Sequence, residues 1–243
     1  MELLVVGAGA MGRWFAQSVA DEWEITFADT DPAAATAAAE SVGGDTVSLA
    51  ADDQFDVVCV AVPMSVVGRA IEAHAQKATA ALLDLSGVME TPLAVMAEHA
   101  PDAERVSLHP LFGPDNAPGT IAAVSQTGGP VTETLIQLLE AAGNTIFETT
   151  AREHDEAMET VQAKAHAAIL AFALAAEEVP AEFHTPISAG LFDLVSQVTA
   201  GTPRVYAEIQ ETFEGAADVA EAARRIAESD AAGVEALYRE SRR

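Results

Sequence analysis

The residues of this 243-residue chain with the clearest chemical potential are a cluster of glycines, one acid and one histidine held between prolines. Gly7-Ala8-Gly9-Ala10-Met11-Gly12 has G-x-G-x-x-G spacing, follows the apolar run Leu3-Leu-Val-Val6 and opens a stretch of helical composition. In that setting Gly7 permits a tight turn, Gly9 lets the backbone approach a pyrophosphate, and Gly12 lets helix and strand pack closely. The helix N-terminus adds N–H donors and positive potential. These six residues therefore predict a dinucleotide site. Asp29 ends a second apolar run, 17 residues after Gly12. A carboxylate there accepts hydrogen bonds from a ribose 2′-hydroxyl and repels a 2′-phosphate, which favours NAD and leaves NADP the lesser alternative. Val62-Pro63-Met64 closes a further apolar run, and its backbone is expected to border the cofactor.

His109 stands in Ser107-Leu-His109-Pro110-Leu-Phe-Gly113-Pro114-Asp115. Two prolines and a glycine fix an irregular loop after a strand. The imidazole is thus delivered at a sheet edge, where a group of unperturbed pKa near about 6.5 can serve as a general base.

Strands alternating with helices must position these residues. The predicted strands are 2–6, 24–28, 56–62, 81–85, 105–108 and 121–125, with helices over 11–20 and 32–41, the second carrying Pro32 in its first turn and Asp31 as its cap. This alternation implies βαβ crossovers and a doubly wound, Rossmann-type α/β sheet. Past residue 150 the pattern turns helical. Residues 153–178 read as one long helix, and the remainder is broken only at Pro180, Pro186, Gly201 to Pro203 and Gly215. The expected division is a dinucleotide-binding domain over 1–148 and an all-α domain over 149–243. A long alanine-rich helix in so small a domain needs a partner surface, so a homodimer through the helical domain is expected.

Composition narrows the function classes. With 12 basic against 38 acidic residues the formal charge is −26, and only Lys77 and Lys164 are lysines. Without a basic patch to neutralise phosphates, nucleic acid is excluded as a partner. A scattered acidic surface maintains solubility and suits a salt-rich cytoplasm, where self-repulsion is screened within about 3 Å at 1 M salt. No apolar run approaches the roughly 18 residues of a membrane span, and no leader is read at Met1, so a cytoplasmic protein is expected. The single cysteine, Cys59, lies in an apolar run and reads as a small buried hydrophobe. No metal-ligand spacing is present.

The chain resembles the prephenate and arogenate dehydrogenases. The resemblance rests on the glycine turn, Val60-Ala-Val-Pro-Met64, Asp84-Leu-Ser86, His109-Pro-Leu-Phe-Gly-Pro114, Glu153-His-Asp155 with Gln162 and His166, and Gly201-Thr-Pro203-Arg-Val-Tyr206. It implies NAD-dependent oxidative decarboxylation of a cyclohexadienyl carboxylate, prephenate or arogenate, in tyrosine biosynthesis. On that basis His109 hydrogen-bonds the ring C4 hydroxyl and takes its proton, His166 lies near the substrate, and Ser86 joins the catalytic group. His154 would be structural, with Glu153 and Asp155 capping or pairing at the helix start.

The chain departs from the family pattern at three places. An anchoring arginine for a substrate carboxylate is replaced by Gln197, a second arginine by Ala189, and a serine and lysine by Gly87 and Met89. Arg204, Lys164 and Arg152 are then the candidate substrate-binding cations. The competing readings are a Rossmann reductase of the β-hydroxyacid or imine type, which relies on a lysine or aspartate in its helical domain, and a catalytically inactive NAD-binding regulatory protein.

Overall fold

A computed structural model describes residues 1–242. The chain divides into two compact units, Met1–Asp155 and Glu156–Arg243. The division falls inside a helix, a few residues past the last strand.

The first unit is built on one eight-stranded sheet in the order β3-β2-β1-β4-β5-β6-β7-β8. The strands are β1 (Glu2–Val6), β2 (Glu24–Ala28), β3 (Asp45–Thr46), β4 (Phe55–Val60), β5 (Ala78–Asp84), β6 (Glu104–Pro110), β7 (Thr120–Thr127) and β8 (Thr145–Glu148). β1 to β6 are mutually parallel, which gives the expected Rossmann-type arrangement. Residues such as Val57 to Val60 are fully buried because helices cover both faces of the sheet. One core packs Phe15, Phe27, Leu83 and Leu108 beneath α1 (Ala10–Val19), α2 (Pro32–Val42) and α5 (Pro130–Ala141). The other packs Leu4, Val58, Ile71, Leu82 and Met96 beneath α3 (Val67–His74) and α4 (Glu90–His99). Asp31 caps α2 by accepting from the Ala33 amide, as its position predicted.

The sheet departs from continued βαβ alternation at β7, which runs antiparallel to β6 with His109 opposite Ala122. Only residues 111–119 join the two strands, whereas a parallel crossover needs roughly ten to twelve residues. The proline-rich segment therefore closes as a hairpin connection, leaving His109 beside the turn at the carboxyl end of β6. β8 pairs parallel with β7 and extends that edge. Neither β8 nor the two-residue β3 is apolar enough to stand out in the sequence.

The second unit is helical. α6 (Ala151–Met158) begins in the first unit and runs into a π-helical turn at Glu159–Lys164, then α7 (Ala165–Ala175). The long helix expected over 153–178 is thus interrupted in the middle and ends early. A π turn shifts the register of side chains along a helix. Past Ala175, Glu177 and Glu178 would place two carboxylates at the negative helix end, and Val179 precedes a proline, so the helix stops. α8 (Pro186–Ala200), α9 (Pro203–Thr212), α10 (Gly215–Glu228) and α11 (Ala231–Glu240) complete the unit. No described helix is long and apolar enough to cross a membrane.

Candidate active site

The glycine turn has the geometry its spacing predicted. Gly7 has φ +107°, and a Cβ there would fall 2.2 Å from the Ala61 carbonyl oxygen; one on Gly12 would fall 2.1 Å from the Gly7 carbonyl oxygen. Both positions are closed to any side chain. Gly9 differs: nothing lies within 4 Å of an added Cβ, so the turn opens to free space at that residue. Gly9 precedes α1 without a side-chain cap, and the amides of Ala10, Met11 and Gly12 lie in the first turn, where helical N–H groups have no intrahelical acceptor. Asp29 ties the turn to the end of β2. Its Oδ2 accepts from the Ala8 amide at 2.7 Å and its Oδ1 from the Asp31 amide at 2.8 Å. A carboxylate has about four acceptor sites, so capacity for a ribose hydroxyl remains. An open glycine turn at a helix N-terminus, with an acid at the neighbouring strand end, fits the diphosphate and ribose of a dinucleotide.

His109 is buried, and its Nδ1 lies 2.8 Å from His154 Nε2, the rings meeting edge-on with centroids 5.0 Å apart. His154 Nδ1 lies 2.7 Å from Asp155 Oδ1. Asp155 also accepts from the Met89 amide at 2.9 Å and the Glu90 amide at 3.1 Å, so it caps α4, where negative charge is favoured. These partners set the tautomers. A carboxylate can only accept, so His154 carries its proton on Nδ1 and its bare Nε2 accepts from His109 Nδ1–H. In that tautomer His109 Nε2 carries no proton. Burial first, then the neighbouring His154, lowers the His109 pKa to about 3, so the ring is neutral at ordinary pH.

The loop between β5 and α4 lies against this nitrogen. A Cβ on Gly87 would stand 3.7 Å from His109 Nε2 and 2.9 Å from Met64 Sδ. Met64, Gly87 and His109 are therefore neighbours at the carboxyl edge, next to Val62 and Pro63. Ser86 is one residue away but points inward: its hydroxyl lies 2.5 Å from Asp84 Oδ2 and 2.6 Å from the Val88 carbonyl oxygen. Cys59 is fully buried, and burial pushes its thiol well above the ordinary range.

A family model described as the nucleotide-binding domain of prephenate dehydrogenase matches residues 16–127, starting just past the glycine turn. A 4-amino-4-deoxyprephenate dehydrogenase of Streptomyces pristinaespiralis is 34% identical over 230 residues, covering 88% of this chain and 78% of that protein. The chain belongs to the prephenate dehydrogenase family. The T-protein of Haemophilus influenzae is 29% identical over 85% of this chain, which spans 55% of that longer protein. Among solved structures, a prephenate dehydrogenase from Aquifex aeolicus in complex with hydroxyphenyl propionate and NAD+ superposes with a TM-score of 0.74 at 18% identity. It covers 98% of this chain and 95% of that one.

Of the remaining residues picked out for a prephenate dehydrogenase site, all but Arg152 lie in the helical unit. His166, on α7, is half-buried against Tyr206, ring centroids 4.9 Å apart, and burial lowers its pKa. The two cations proposed there are both paired with acids. Lys164 Nζ lies 2.6 Å from Asp218 Oδ2, and Arg204 Nε lies 2.9 Å from Glu208 Oε1. Gln197 is exposed on α8, and Arg152 is exposed at the start of α6. The bond between His109 and His154 and the capping of α4 by Asp155 went unread in the sequence. The only signal was an adjacent His-Asp pair at a helix start, which suggested a local cap; Glu153 fills that role by accepting from Thr150.

Proposed function

We propose that the chain catalyses the NAD-dependent oxidative decarboxylation of prephenate to 4-hydroxyphenylpyruvate, a step of tyrosine biosynthesis. The observation that carries this reading is the chain Asp155–His154–His109, which keeps the His109 ring neutral with Nε2 as its basic nitrogen, close to Gly87. Gly7 to Gly12, Asp29 and the backbone of Val62 to Met64 would hold NAD, which would supply the hydride acceptor when bound. His109 Nε2 accepts the hydrogen bond of the ring C4 hydroxyl and takes its proton as the C4 hydrogen departs as hydride. The ring carboxylate then leaves as CO2, and His109 returns the proton to the phenolate oxygen, so atoms and charges balance. Asp155 faces the positive charge that builds on the two imidazoles and holds their tautomers. A side chain at Gly87 would press on Met64 Sδ, 2.9 Å from an added Cβ, so glycine keeps the loop close to His109. Ser86, turned inward, supports the loop rather than touching the substrate.

An amine at C4 is a second reading, favoured by the 34% identity to the Streptomyces enzyme. An amine also donates to an accepting Nε2, and an ammonium suits a strongly acidic protein. His166, Gln197, Arg204 and Lys164 remain candidates for substrate binding from the helical unit. A second copy of the chain is the expected partner, because Leu174, Ile187 and Phe183 are 89%, 79% and 77% exposed.

Following NADH formation with prephenate, arogenate and 4-amino-4-deoxyprephenate at molar salt tests the reading and ranks the substrates. Tight NAD binding with turnover of none of the three would overturn it in favour of a regulatory protein. Unchanged turnover in His109→Ala would favour a reductase of another type.

A further inference from the structure

Asp84 ends β5 directly behind the loop that carries Gly87, and it is fully buried. Its surroundings can be tested by counting protons. Ser86 Oγ has two acceptors at hydrogen-bond distance, Asp84 Oδ2 at 2.5 Å and the Val88 carbonyl oxygen at 2.6 Å. A hydroxyl has one proton and can satisfy one of them. If Asp84 were ionised, two bare acceptor oxygens would crowd one hydrogen. Oδ2 also accepts from the Ser86 amide at 2.9 Å, a contact that favours the charged form and that a protonated Oδ2 can keep through its remaining lone pair. A proton on Asp84 Oδ2 still removes the conflict at the hydroxyl, because Asp84 then donates to Ser86 Oγ and Ser86 donates to the Val88 carbonyl.

The second oxygen points the same way. Asp84 Oδ1 and the hydroxyl of Ser107, the residue opposite on the adjacent strand, make no hydrogen bond of ordinary geometry among the described residues, although Ser107 lies near enough to favour the ionised form. An ionised carboxylate with one buried oxygen unmatched is far costlier than a neutral acid. The titratable groups facing Asp84 are Cys59 from β4 and Asp155 from α6, and neither is a cation.

We propose that Asp84 is a positioning residue that works as a neutral carboxylic acid: through Ser86 and the Val88 carbonyl it fixes the turn that lies against His109 Nε2. Burial, assisted by the Asp155 charge and opposed by the Ser86 and Ser107 contacts, raises its pKa from the usual carboxylate range to about 7. Ionisation above that point withdraws the second proton and sets Asp84 and Val88 in competition for Ser86. It also places a negative charge behind a site that, on the functional reading above, receives an anion. Asp84 thereby gives the enzyme an alkaline limit that does not belong to its histidines.

Two measurements test this. The first is independent of turnover: infrared spectra of the wild-type protein, labelled with 13C at aspartate carboxyl groups, across a pH series. Ordinary carboxyls ionise near about pH 4, so a protonated-carboxyl band persisting at about pH 6 marks one raised group. The expected band fades with a midpoint near neutrality and is absent from Asp84→Asn. No such band in the wild type overturns the proposal, whether or not the protein is active on any substrate. The second is the pH profile of kcat/KM. The wild type should fall about tenfold per pH unit above the midpoint, as for a single ionisation. Asp84→Asn, whose amide keeps an N–H for Ser86, should shift that limb upward by at least about one unit whatever its plateau rate. An unshifted limb overturns the positioning role even if the band is found.

Discussion

The two units solve the burial problem differently. In the first, helices cover both faces of the sheet, and residues such as Leu3, Phe15, Phe27, Leu83 and Leu108 are completely removed from water. In the second, α7 has no buried residue although its sequence is almost wholly apolar, and Leu174, Phe183, Ile187, Ile226 and Tyr238 are more than half exposed. A surface of that kind on a single chain ordinarily marks a contact yet to be made. The contrast matches a division of labour. The unit with a complete core holds the residues that need fixed geometry, and the other carries the surface suited to a second copy.

The largest effect is expected where the fixed geometry itself is removed. His109→Ala should lower kcat about 10²- to 10⁴-fold, the usual contribution of a positioned base, while NAD affinity measured by fluorescence titration stays unchanged. Next come the cores. Leu83→Ala should cost about 2–5 kcal/mol in urea denaturation, because the cavity lies between packed layers. Leu174→Ala should cost far less within a single chain. Leu174→Glu tests the proposed self-association: light scattering is expected to show a smaller species for the variant than for the parent, and an unchanged assembly would remove that face from the interface.

The pH dependence of stability separates the two buried titratable groups. Asp84 has its pKa raised from 3.8 to about 7, so its stabilising contribution is complete below about pH 4 and declines as pH rises to 7. His109 has its pKa lowered from 6.5 to about 3, so its contribution is complete above about pH 6.5 and is lost as pH falls. Between about pH 4 and 6.5 the slopes oppose each other. Asp84→Asn should expose the histidine slope, so that the variant gains about 3 kcal/mol on the wild type over two pH units in that window. The smallest expected effect concerns Cys59: a fully buried thiol with a raised pKa should resist alkylation in the native protein and react only on unfolding.

How much was legible follows from the range of each interaction. The β2 boundaries, the glycine turn and the Asp31 cap depend on neighbours a few residues apart, and their sequence spacing carried them directly. β7 was legible as a strand over 121–125, but its antiparallel direction was missed because that depends on the length of the connection, not on the strand's own composition. The π turn at Glu159–Lys164 left no mark in a run of good helix formers.

By itself the sequence determined the nucleotide fold, the likeness to prephenate dehydrogenases and the choice of His109, because glycine spacing and a proline-bound histidine are local statements about backbone freedom. Only the tertiary structure decided what surrounds that histidine. His154 and Asp155 lie more than forty residues further along the chain, and Asp84 and Ser107 sit on adjacent strands. Sheet register and helix packing bring these groups together in a buried place, where the count of protons against acceptors, rather than residue type, sets the charge on each.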